Sequence, residues 1–191
     1  MSQLIVEPTA LAQWQRLVRD ATETSEQPTL DESLEAYLVM LLHRFASQRD
    51  TGHRVMATEY LEGLLVRGRV RSTRLREVGD HCLILAGLFP HRARRRLVRN
   101  SYFIRLGRTA YRQLAEGLGQ STASLYRELS RHFVLLTGIL HAIRDLGNEP
   151  ALDAIEAAEL WQDTGSAYAR RRLSSSTRGV TVFGPTGPHR H

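Results

Sequence analysis

The stretch Ser72-Thr73-Arg74-Leu75-Arg76-Glu77-Val78-Gly79-Asp80-His81-Cys82-Leu83-Ile84-Leu85-Ala86-Gly87-Leu88-Phe89-Pro90 decides the fold. Leu75, Val78, Cys82, Leu85 and Phe89 recur every three or four residues, the spacing of one helix face. Ser72 or Thr73 can cap the start, and Pro90 stops the run. From Cys82 to Phe89 every position is apolar or small, so the second half of this helix is apolar on all sides and belongs in the middle of a domain. A helix covered all round requires other helices to cover it.

The rest of the chain offers them. Leu11, Trp14 and Val18 predict a helix over 8–21, and Leu34, Leu38, Leu41 and Phe45 predict a second that starts at a Thr29/Glu32 capping box. A short helix spans 58–66 and ends at Gly68. A basic connector over 91–99 leads to a helix over 101–118. Leu125, Leu129, Phe133, Leu136, Leu140 and Ile143 then predict one long helix from Ser121 to the Gly147 stop, followed by a last helix over 151–173. Period-2 alternation is almost absent. The expectation is an all-α, single-domain bundle of six or seven helices over residues 1–173, with a central buried helix at about 73–89. Residues 174–191 form a flexible, disordered tail rich in Ser, Gly and Pro.

Composition agrees with one soluble domain. The chain has 191 residues, 42% of them apolar, enough to fill a core. The single cysteine, Cys82, excludes an internal disulfide and gives no sign of secretion. Residues 1–7 lack the pattern of a signal peptide. The apolar runs over 82–89 and 133–140 fall short of the roughly 20 residues that a membrane span requires. A cytoplasmic protein without a membrane span is expected.

Charge is distributed more tellingly than its total. All 26 basic residues are arginine, against 20 acids. Residues 1–53 carry −4, residues 54–112 carry +10, and residues 113–191 are neutral. The positive third holds two dense runs: Arg67, Arg69, Arg71, Arg74 and Arg76, then Arg92, Arg94, Arg95, Arg96 and Arg99. They flank the central helix, whose roughly 16 residues span about 24 Å, so they form two patches. Arginine forks suit phosphates and carboxylates. The functional reading is an anionic partner, namely nucleic acid, a ribonucleoprotein, an acidic protein or an anionic membrane surface. The plain reading is a solvated arginine surface of the kind a GC-rich genome produces. No convincing helix-turn-helix accompanies the charge: the turn over 117–121 precedes a helix too long and too regularly striped for a recognition helix.

Signals for catalysis are sparse. Asp80 and His81 adjoin the most buried segment, as a base and its orienter do, but neighbouring helical positions point about 100° apart. The expectation is that Asp80 accepts an arginine fork or a backbone donor from another helix. Tyr102 and Tyr111 complete a possible buried polar site with Asp80 and His81. Glu128 and His132 share a face at i, i+4, yet no second pair exists to build a metal centre, and His43 and His141 add none; no metal and no cofactor are expected. Cys82 reads as a small core residue. Gly107, Ala110 and Tyr111 either allow close helix approach or leave room for a flat apolar ligand.

The residues Gly79-Asp80, Gly87-Leu88-Phe89-Pro90, Tyr102, Gly107, Tyr111 and Thr164-Gly165-Ser166, with Trp161, resemble a pattern in an uncharacterised bacterial all-helical protein family. The resemblance covers about residues 60–173. No activity is attached to that family, so it implies a helical fold and no site residues.

The sequence therefore reads first as a non-enzymatic regulatory or adaptor protein that binds an anionic macromolecule through arginine patches. One alternative is a bundle holding a small apolar ligand or cofactor beside Asp80, with catalysis there. A second is a structural homo-oligomer subunit.

Overall fold

A 21-residue helix, α4 (Gly68–Leu88), is the axis of the molecule. The computed structural model describes residues 9–24, 28–47, 56–91 and 98–177. Around α4 lie α1 (Ala10–Thr24), α2 (Glu32–Ser47), α3 (Met56–Leu65), α5 (Asn100–Glu116), α6 (Gln120–Arg131), α7 (Phe133–Leu146), α8 (Ala154–Thr164) and α9 (Ala167–Thr177). Pro90 and His91 are helical as well, and the described residues contain no strand. As its all-round apolar second half demands, α4 buries Val78, Gly79 and Asp80, then Cys82, Leu83 and Ile84, then Ala86 and Gly87.

Helix α5 runs antiparallel beside α4. The Asn100 side chain donates to the Ala86 carbonyl at one end (2.9 Å), and Arg71 donates to Gln113 Oε1 at the other (3.2 Å). Between these ends the contact is closed by missing side chains. A Cβ at Gly79 would fall 2.3 Å from Tyr111 Cε1, and one at Gly107 would fall 2.8 Å from Cys82 Cβ and 2.4 Å from Phe133 Cζ. Helix α7 reaches α4 in the same manner, with Leu140 Cβ 2.4 Å from where a Gly87 Cβ would sit. Helix α3 covers the first half of α4, and the α1–α2 pair, bridged by Arg19 and Glu35 (2.8 Å), leans on α7 through α1.

Four boundaries differ from the sequence reading. The long helix expected over 121–146 is broken at His132 (φ −92°, ψ 11°) into α6 and α7. Just before the break, the Ser130 carbonyl accepts the Arg108 guanidinium (3.1 Å) while Ser130 Oγ donates to the Arg108 carbonyl (2.9 Å). A side chain that engages the backbone ladder in this way is a standard cause of a kink. The helix expected over 151–173 is also two. Gly165 takes the left-handed conformation that ends α8 (φ 69°), and Ser166 Oγ accepts from Ala169 N to open α9. The count of six or seven is therefore too low. Helix α4 begins four residues before Ser72, with Arg67 at its N-cap and no side-chain cap. Helix α9 runs to Thr177, so residues 174–177 of the expected tail are helical; the remainder of the tail lies outside the described residues. Leu11, expected in the core, is exposed.

Candidate functional site

Asp80 is 3% exposed at the middle of α4. Both of its carboxylate oxygens are occupied. Oδ1 accepts the Tyr37 hydroxyl (2.6 Å) and the Tyr111 hydroxyl (2.7 Å), while Oδ2 takes Nη2 of Arg44 in a close ion pair. Three helices thus converge on one charge: α2 through Tyr37 and Arg44, α5 through Tyr111, and α4 itself. Tyr126 of α6 packs its ring on both tyrosines, 6.0 Å from Tyr37 and 5.8 Å from Tyr111. Burial, and then the Asp80 charge, push both phenols far above their ordinary value, so both stay protonated as donors. Arg44 is held charged because the Asp80 carboxylate outweighs its partial burial.

Side chains of the chain itself thus take three of the roughly four lone-pair sites of the Asp80 carboxylate. The adjoining cavity, lined by Leu41, Arg44, Phe45, Asp80, His81 and Ile84, measures about 20 Å³, the size of a single water site. The places where a flat ligand would enter are filled, Gly107 by the Phe133 ring and Gly87 by Leu140. His81 turns away from Asp80 and pairs its Nδ1 with the Glu77 carbonyl (2.8 Å). Tyr102 does not join the group: it packs edge-on against Phe103 at the far end of α5. Of the four residues expected in a buried polar site, Asp80 and Tyr111 meet directly and His81 and Tyr102 do not. Tyr37, Arg44 and Tyr126 are additions; Tyr37 and Arg44 stand seven apart on α2, and that two-turn spacing is the signal that pairs them.

Cys82 is buried, and burial pushes its thiol well above the usual range, which makes it inert. Glu128 and His132 meet at 3.2 Å as a surface pair. Among the described residues no three His, Cys, Asp or Glu side chains lie together as a metal would need.

Compared with known proteins, the chain matches no family model, no curated protein and no solved structure.

The arginine runs separate into spent and presented charges. Arg74 pairs with Glu62 (2.6 Å), Arg71 binds Gln113, and Arg76 is half-buried. Arg99, of the second run, lies 3.4 Å from Asp163 and 3.8 Å from Glu159. Asp163 is held below the usual carboxylate range, first by the Ser101 hydroxyl (2.7 Å) and then by Arg99. Arg92, Arg94, Arg95 and Arg96 lie outside the described residues. Arg67 and Arg69 are exposed where α3 turns into α4, and neither makes an ion pair among the described residues. Around them stand apolar side chains that periodicity did not single out: Leu65 is 84% exposed, Leu61 60%, Val70 55% and Leu64 38%.

Proposed function

We propose that this protein is a non-enzymatic adaptor or regulatory protein that meets an anionic partner through the arginines at the start of α4. One observation carries the reading: Arg67 and Arg69 are exposed, without an ion pair among the described residues, on a stretch with no acid between Gly63 and Arg76. Other arginines of the two runs, Arg71, Arg74 and Arg99, are already engaged inside the molecule. The Asp80 centre supports the non-enzymatic side, because three of the roughly four lone-pair sites of this buried carboxylate are taken up in joining helices and the cavity beside it has room for about one water. Nucleic acid, ribonucleoprotein and acidic protein share the chemistry that such arginines recognise. The resemblance over residues 60–173 brings no activity into this proposal.

The test uses a labelled oligouridylate as a generic polyanion. Affinity of the full chain should fall steeply between about 50 and 200 mM salt, and Arg67→Ser/Arg69→Ser should flatten that dependence by roughly two phosphate contacts. Salt-insensitive binding, or full binding by the double variant, overturns the proposal.

A further inference from the structure

We infer that the α3–α4 corner docks on an anionic lipid bilayer, with Leu64, Leu65 and Val70 entering the headgroup–acyl boundary and Arg67 and Arg69 meeting lipid phosphates. The inference rests on the reading of these arginines as a working surface and names what they work on.

Exposed apolar side chains are concentrated here. Of nine large exposed hydrophobic residues among those described, Leu61, Leu64, Leu65 and Val70 fall within ten positions. Helix α3 turns the wrong way for a water-facing helix. Gly63 is its buried contact with Arg74 and Leu75 of α4, and Leu61 and Leu65, two residues to either side, project about 200° around from it. The face that should be polar is leucine.

Charge and shape then choose among anionic partners. Five arginines, Arg67 to Arg76, follow without an acid, so the leucines sit beside cations, the pairing that interfacial anchors use on acidic lipid. The corner is open at its turn: at Gly68 an added Cβ would meet nothing within 4 Å. Arg69 and Val70 also line a cleft of about 520 Å³ whose other walls carry Glu59, Glu62 and Glu77, so the outward-facing Leu64, Leu65 and Arg67 would make the deepest contact. Nucleic acid would use the arginines but not the leucines, and the aromatic nearest the corner, Tyr60, packs against the core instead of standing free to stack on bases. Among the described residues no helix is long and apolar enough to cross a membrane, so attachment would be to the surface. Arginine forks fit headgroup phosphates in bidentate fashion.

The experiment is co-flotation of the full chain with vesicles of phosphatidylcholine, alone or with roughly one-third phosphatidylserine, at about 50 and 300 mM salt. Two variants accompany it, Leu64→Gln/Leu65→Gln and Arg67→Ser/Arg69→Ser, with circular dichroism and elution volume as controls of fold and size. Binding should be at least about tenfold stronger on the acidic vesicles and should fall with salt. The leucine variant should lose about fivefold or more on vesicles while keeping its affinity for oligouridylate. Vesicle binding indifferent to the leucine change overturns the inference, as does a leucine variant that merely turns a dimer into a monomer. Absence of vesicle binding, with arginine-dependent oligouridylate binding retained, overturns the bilayer alone. Absence of both overturns the anionic reading as well.

Discussion

The Asp80 centre and the α3–α4 corner are two places where α4 carries charge, and they are organised in opposite ways. At Asp80 one carboxylate is met by two phenols and a guanidinium, under three helices and against a ring cluster. At the corner two guanidiniums and four aliphatic side chains face solvent. Buried polar groups that are fully satisfied tie elements together, whereas an exposed apolar patch rimmed by charge marks an interface. The difference teaches that the most chemically suggestive residue of the sequence ties helices together, and that the plainer arginines more than three turns away lie on the surface we propose for another molecule.

The largest effect that sharpens this contrast is on folding. Asp80→Ala strands Arg44 and two phenol hydroxyls, and should cost about 3–5 kcal/mol, lowering the thermal midpoint by roughly 10 °C for a domain of this size. A loss below 1 kcal/mol would break the comparison from its buried side. Gly107→Ala comes next. Its Cβ would meet both the Phe133 ring and Cys82 Cβ, and overpacking of this kind costs about 1–3 kcal/mol or more in chemical denaturation.

A pH effect of similar size arises where α7 meets α9. His141 is fully buried against the Tyr168 ring (4.9 Å), and burial, aided by the Arg144 charge, lowers its imidazole to about 3. The unfolded chain takes up the proton first as pH falls through about 6.5. Stability from this group is therefore complete above that value and declines towards pH 3. Denaturation midpoints across this range should fall less steeply for His141→Phe than for the parent, by on the order of a few kcal/mol at the acid end. Parallel slopes would remove His141 from the account. Tyr37→Phe deletes one of the hydrogen bonds to the Asp80 carboxylate and should cost about 1.5–3 kcal/mol, read as a urea midpoint. Smallest of all, Arg67→Ser/Arg69→Ser should change stability by no more than about 0.5 kcal/mol, as surface substitutions do.

How far this was legible in the sequence depends on what periodicity can see. The apolar run over 82–89 makes α4 central, and α4 is central. The same rule joins α6 to α7, because Leu129, Phe133, Leu136 and Leu140 keep their spacing through the break; the Arg108–Ser130 contacts that accompany it come from another helix. Thr164-Gly165-Ser166 did carry its message locally, a left-handed stop followed by a cap. Asp80 was legible as a buried acceptor with an arginine partner from another helix. Its tyrosines were half legible: Tyr111 lies against Gly79, but Tyr102, nine residues earlier, is half a revolution away on α5. The corner was visible only as charge. Periodicity groups leucines on a face without saying whether anything covers that face, and α3 presents Leu61 and Leu65 to solvent.

The most direct measurement sets the two regions side by side: oligouridylate affinity at low salt for Asp80→Asn and for Arg67→Ser/Arg69→Ser, both at a temperature where circular dichroism shows them folded. The account predicts that Asp80→Asn binds like the parent despite a lower thermal midpoint, while the arginine variant keeps its midpoint and binds about tenfold or more weakly. A folded Asp80→Asn protein that loses binding, beside an arginine variant that keeps it, would contradict the account.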